Sequence, residues 1–338
     1  MKSRKMFYWL SAIGVAVLFA VSGVPQAYAG KTVKVGMFPF GPGRMVDQYI
    51  TDEGIHKKWG AKVGVDFKVS HPRDDFAAFM GKSVQIVALS TMEVGRLVGD
   101  EKYDIVMWGK QVDAFIDFYV RGNSQYKAVR ELKGKKLVHP GWDTGSSQMG
   151  SVLLKEWYGL DMKKDFKVVS APWPVGLQLL VKGDVEMGIN LMAGFSLELV
   201  RTNRIRPILA TYATEWAKQR NTSHHLSIAN FTSWGKWVRG NEQAARAWLG
   251  AFSEGMQYAT NNRRAWAVRY KKFIKKNATD AHVDFWVKWL KKYTVVYKDA
   301  YLTQNFINEE TAFMKMAAKA GFVKPGGLSP KIWKIIRP

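Results

Sequence analysis

The chain alternates between short runs with a period of two and longer runs with a helical period. Thr32 to Phe38 reads as a strand, and Pro39-Phe40-Gly41-Pro42-Gly43 as a sharply turning loop. Met45, Val46, Tyr49 and Ile50 then share one helical face. Val63–Val69 predicts a second strand. Asp74-Asp75 can cap a short helix carrying Phe76, Phe79 and Met80, and Gly81 stops it before the buried strand Val84–Leu89. Tyr103–Trp108 and Ala114–Val120 read as extended.

The same alternation then restarts. Lys135–His139 predicts a strand, Pro140 to Ser147 a glycine-rich turn, and Met149–Trp157 a helix. Phe166–Val169, Val185–Asn190 and Ile205–Leu209 predict further strands around a helix at Val175–Val181. An apolar helix, a glycine stop and an alternating strand occur at Phe76–Val87 and again at Leu177–Ile189, as two lobes of one design would show. After Thr211 the pattern is mostly helical. Ala244, Ala245, Trp248, Leu249, Phe252 and Met256 form one face; Trp266, Tyr270, Phe273 and Ile274 a second; Phe285, Trp286, Trp289, Leu290 and Tyr293 a third. Helical spacing makes these aromatics core rather than a stacking platform.

The first 29 residues stand apart. Lys2, Arg4 and Lys5 precede an uncharged apolar stretch from Met6 to Val24, and Ala27-Tyr28-Ala29 has the small residues of a cleavage site, so export with removal of 1–29 is expected. The chain has no cysteine, which excludes disulfides, thiolate chemistry and a lipid-modified cysteine. Its formal charge is +23, spread along the sequence as a solvated basic surface, and no nucleic-acid partner is expected. The six histidines are scattered, His224-His225 being the one adjacent pair. No catalytic or metal constellation is recognisable, and neither an enzyme nor a cofactor is expected.

Ligands of open α/β sheets bind beyond the carboxyl ends of strands. That selects Phe38–Arg44, Ser90–Glu93, Trp108–Gln111, Pro140–Gln148, Ala171–Val175 and Asn190–Ser196. The sharpest is Gly141 to Gln148, where free backbone N–H groups and hydroxyls can hold an anion, or can equally form an ordinary strand-to-helix connection capped by Ser146 or Ser147.

Glu131 to Val138, the Gly/Ser/Thr loop, and Leu153 to Asp161 resemble the start of the second lobe in substrate-binding proteins of nitrate, sulfonate and taurine ABC transporters. Pyrimidine-precursor binders belong to the same superfamily. Gly81-x-x-Val84-x-Ile86 and Lys182-Gly183-Asp184-Val185-Glu186 are similar too, and the likeness covers about 31–210. It implies a type II periplasmic binding fold: two α/β lobes, a hinge and a helical C-terminal extension. Lobe 1 would take 30–117 and 211–338, lobe 2 would take 118–210, and the crossings would fall near Ala114–Val120 and Leu209–Tyr212. It further implies a periplasmic monomer that passes a small molecule to a permease in the inner membrane. A pyrimidine or thiamine precursor, or another small aromatic metabolite, is the alternative ligand, and a ligand-sensing subunit of a receptor the alternative role.

By position, the family's contacts fall on Phe40, Ser90, Thr91, Lys110, Thr144, Ser146, Ser147, Trp173 and Asn190. The chain departs from the pattern at Ile189-Asn190-Leu191-Met192 and at Phe40–Arg44. The expectation is an anionic head group, sulfonate or carboxylate, on Ser90/Thr91 and Thr144–Ser147 with Lys110 or Arg44 beside it. Phe40, Trp108, Trp142, Trp173 and Phe195 would enclose the body of the ligand.

Overall fold

The computed structural model describes residues 30–338 apart from 39–40, 73, 192–194, 210 and 294–296. The expected leader and Phe40 lie outside the described residues, as do the side chains of Asn190 and Phe195. In chain order the strands are β1 (Lys31–Gly36), β2 (Val65–Ser70), β3 (Val87–Leu89), β4 (Ile105–Asp113), β5 (Ile116–Arg121), β6 (Lys136–His139), β7 (Lys167–Ser170), β8 (Met187–Leu191), β9 (Ile205–Pro207) and β10 (Ser227–Trp234).

Two sheets of the same design result. In the first, β1 pairs parallel with β2, a bridge from Val35 to Ile86 joins β1 to β3, and β10 lies antiparallel between β3 and β4. In the second, the order is β7-β6-β8-β5-β9, with β6 parallel to β7 and β8 and with β5 antiparallel to both its neighbours. Each sheet thus runs second, first, third, antiparallel guest, fourth. The guest strand is the one contributed out of turn. The repeated helix–glycine–strand unit of the sequence falls at equivalent places in the two sheets, its strands at β3 and β8.

Burial explains the strands. Val33 and Val35 of β1 are fully buried and Val33 sits opposite buried Phe67 of β2, so alternate residues face the core. The expectation of a mostly helical stretch after Thr211 needs one correction. Ser227–Trp234 is the strand β10, and Ser227, Asn230, Thr232 and Ser233 are buried with it. Its polar buried residues mask the apolar alternation by which strands are recognised. A second difference lies at Gly41–Asp52, a helix that starts inside the expected loop, with Pro42 in its first turn where a missing N–H costs little.

The aromatic helices of the C-terminal half pack as core. Trp248 and Phe252, on helix Glu242–Asn261, meet Phe231 of β10 edge-on, with centroids 6.1 and 4.8 Å away. Trp286 stacks on Trp289 at 5.1 Å in helix Asp280–Tyr293. Among the described residues no helix is long and apolar enough to cross a membrane.

The connection between the sheets is short. β4 leads into β5 through Ala114-Phe115 alone, and the chain returns between β9 and β10 by way of helix Tyr212–Arg220. Ala114 ties the passages together: its N–H donates to Leu226 O at 2.7 Å, and its carbonyl accepts from Ala213 N–H at 3.3 Å. Beside it, buried Asp113 pairs with His225 at 3.0 Å.

Candidate functional site

A cavity of about 360 Å³ opens between the carboxyl ends of the two sheets. Ala88 and Leu89 of β3, Gln111 and Val112 of β4, and Ile228 and Ala229 of β10 form one wall. Thr144, Gly145, Ser146 and Trp173 come from the other lobe, and Phe38, Phe76 and Phe115 add apolar surface. Its size lies at the small end of the range for metabolite sites.

Two helix starts frame the opening. Ser90 caps helix Thr91–Gly99 in a reciprocal arrangement with Glu93: Ser90 Oγ accepts from Glu93 N–H at 3.1 Å, and Glu93 Oε2 accepts from Ser90 N–H at 2.8 Å. Across the cleft, Thr144 caps helix Gly145–Tyr158 through Ser147 N–H. Gly141, at φ +143°, makes the turn into this loop in a conformation that L side chains rarely adopt.

Within that loop the hydroxyls bond to one another. Thr144 Oγ1 donates to Gly141 O at 2.8 Å, and Ser146 Oγ donates to Thr144 Oγ1 at 3.2 Å. Ser147 is fully buried with its Oγ 3.0 Å from His139 Nδ1, a nitrogen that also accepts from Gly141 N–H at 3.2 Å. Burial pushes the His139 pKa below its ordinary value, which suits a neutral ring in this role.

Of the residues expected at the site, Thr144, Ser146 and Trp173 line the cavity and Ser90 stands at its edge, against Gly145. The others whose side chains are described are placed elsewhere. Thr91 is buried under the helix, donating to Glu310 Oε2 at 2.6 Å and accepting from Asn230 Nδ2 at 3.1 Å. Trp108 is a core residue, stacked on Phe231 at 5.8 Å with its indole N–H on Ser233 Oγ. Lys110 lies 3.5 Å from Asp299 and does not line the cavity that Gln111 borders. Arg44 pairs with Asp47 at 3.0 Å and covers the Phe273 ring. Trp142 packs on His139 with Lys163 over its ring. Asn190 is in β8 and Phe195 opens helix Phe195–Arg201.

Residues that sequence reasoning passed over give the cavity its charge. Among the described residues Asp74, Asp75, Glu93 and Asp143 line it, against one guanidinium, Arg96. Burial pushes Asp75 up to about 6, and the neighbouring Glu93 adds to the shift. Glu93 is raised too, first by burial and further by Asp143, while its bonds to Ser90 and the charge of Arg96 oppose the rise. One sign was available: Ser90-x-x-Glu93 is the spacing of a capping box, which puts Glu93 back at its own helix start. Asp74 caps the next helix as expected, accepting from Ala77 N–H at 2.8 Å.

The architecture recurs in solved structures. The periplasmic aliphatic sulphonate binding protein SsuA from Escherichia coli superposes with a TM-score of 0.70 at 12% identity, over 92% of this chain and 94% of that one. The alkanesulfonate-binding protein SsuA from Xanthomonas axonopodis pv. citri, bound to MOPS, gives 0.69 at 12% identity over 90% and 98%. The periplasmic nitrate-binding protein NrtA from Synechocystis PCC 6803 gives 0.63 at 13% identity over 90% and 86%. The chain has the periplasmic binding protein fold, and its neighbours include the sulfonate and nitrate binders that the sequence resembles. No family model and no curated protein sequence matches it.

Proposed function

We propose that this chain is the periplasmic solute-binding component of an ABC importer, which encloses a small molecule between its lobes and hands it to a permease. The carrying observation is that one cavity is lined from both lobes beside a hinge of very few residues. Closing the lobes withdraws the ligand from water, and a few backbone dihedrals near Ala114 absorb the rotation. Closure also changes the outer surface that a permease meets, so a loaded carrier differs from an empty one. The fold shared with sulfonate- and nitrate-binding proteins supports the same reading.

The lining bears on the ligand. Among the described residues four carboxylates against one guanidinium disfavour a sulfonate or carboxylate head group, and the aromatic walls favour the small aromatic metabolite. The mouth hydroxyls do not offset this, because Thr144 and Ser146 are already bonded within their own loop. Chemistry on the ligand is not part of the proposal.

The test is native mass spectrometry of the protein purified without its first 29 residues, followed by thermal-shift screening with small metabolites. A co-purifying molecule, or a melting temperature raised by one compound class with a compact form in small-angle scattering, is the expected result. A chain that takes up no small molecule and never changes shape would remove the proposal.

A further inference from the structure

We propose that the cavity between the lobes takes a small organic cation, a nitrogen base or quaternary ammonium carried on a flat apolar body. This rests on the solute-capture reading and specifies its ligand.

The charge of the lining runs against the rest of the molecule. The chain holds 51 basic and 28 acidic residues, so a cavity lined at random would be mainly basic. Among the described residues its walls instead present Asp74, Asp75, Glu93 and Asp143 against Arg96. Three of these carboxylates converge from separate segments, Asp75 and Glu93 from one lobe and Asp143 from the other, close enough that Glu93 raises the proton affinity of Asp75 and Asp143 that of Glu93.

The cluster is not neutralised from within. Asp75 Oδ1 accepts only the N–H of Phe76, and no Lys or Arg pairs with Asp75, Glu93 or Asp143 among the described residues. Arg96 lies 3.6 Å from Glu101 instead. Buried carboxylates without a cation are costly, and a ligand that supplies one recovers that cost.

A separate feature points the same way. Gln111 lines the cavity with only 2% of its surface exposed. Among the described residues its one side-chain hydrogen bond is a weak donation from Nε2 to Met37 Sδ at 3.9 Å, and Oε1 accepts none. Acceptor groups outnumber donor groups in the described lining, even counting Arg96, whose Nε is a buried donor without a partner, and that excess complements an ammonium or amidinium group. Phe38, Phe76, Phe115 and Trp173 supply apolar surface for the body of the ligand. A metal ion does not fit, since no His, Asp or Glu group among the described residues is arranged to hold one.

The experiment titrates the protein at pH 8 with benzylamine, benzamidine and phenyltrimethylammonium, with benzoate and benzenesulfonate as anionic counterparts and benzyl alcohol as the neutral one. Cations are expected to bind at least tenfold more tightly than benzyl alcohol. D143N, at an exposed loop position, and D75N are each expected to weaken cations about tenfold and to leave benzyl alcohol unchanged. Tighter binding of benzoate or benzenesulfonate would overturn the inference and leave solute capture standing. Failure of every compound to bind, with no small molecule released on denaturation, would overturn both.

Discussion

Gly145 stands so close to Ser90, across the cleft, that a Cβ on Gly145 would lie 2.6 Å from Ser90 Oγ and 3.1 Å from Ser90 Cβ. The two residues open facing helices of different lobes, and the contact closes only because one of them has no side chain. The approach of the two helix starts is therefore limited by the missing side chain of Gly145. Gly145→Ala places a wedge there. A helical alanine is better than glycine by about 1 kcal/mol, so the melting temperature should hold or rise. Ligand affinity should fall about tenfold, and the radius of gyration of the loaded protein should increase in small-angle scattering. A loaded mutant as compact as the wild type would show that this contact does not limit closure.

Asp75 gives the site a pH dependence. Its pKa is pushed up to about 6 by burial and by Glu93, with Asp74 adding to the rise. Among the described residues the other charged groups lining the cavity are Asp143 and Arg96. A cation favours the ionised carboxylate, so affinity should be full above about pH 7 and fall as pH drops through 6. Calorimetry in buffers of different ionisation enthalpy should show proton release on binding near pH 6. In Asp75→Asn both effects should shrink.

Asp117 predicts a stability profile. This residue is buried in β5 and accepts from the Tyr119 hydroxyl at 2.6 Å, while its Oδ1 is buried without a partner. Burial pushes it up to about 7, against the bond from Tyr119 and the charge of Lys292. The folded state then holds a proton that the unfolded chain has lost, from the unfolded value near 4 up to about 7. Stability therefore declines as pH rises through that window. Asp117→Asn keeps an acceptor for Tyr119 and removes the charge. Its advantage over wild type should grow from near zero at pH 4 to a few kcal/mol at pH 8 (at most about 4 kcal/mol), read from urea denaturation at each pH.

Thr91 and Trp108 separate stability from binding. Glu310 is fully buried and accepts from Thr91 Oγ1, from Ser227 N–H at 2.8 Å and from His224, whose Nε2 is 3.3 Å away. Thr91→Val withdraws one donor from a buried carboxylate and should cost about 1–3 kcal/mol. Trp108→Ala empties a core position beside Phe231 and should cost about 3–5 kcal/mol. Ligand affinity of the folded fraction should stay within twofold in both. A selective loss of binding would place these residues in the site.

What the sequence by itself determined was local. Two-residue alternation located most strands to within a few positions, helical spacing assigned Trp248, Phe252, Trp266 and Trp286 to the core, and the repeated helix–glycine–strand unit announced two like halves. It also indicated which segments border the cleft, since Phe38, Glu93, Gln111, Asp143–Ser146 and Trp173 all fall within the stretches chosen at strand ends. Which side chain in each segment faces the ligand was decided by the tertiary structure. Lys110 reaches Asp299 while Gln111 enters the cavity, at a point where the pairing of β4 with β10 shifts register and skips Gln111, so two-residue alternation alone does not settle that choice. The charge of the site was hidden for the same reason. Asp75, Glu93 and Asp143 are ordinary surface residues in one dimension and become an acidic cluster only when two lobes bring their helix starts together.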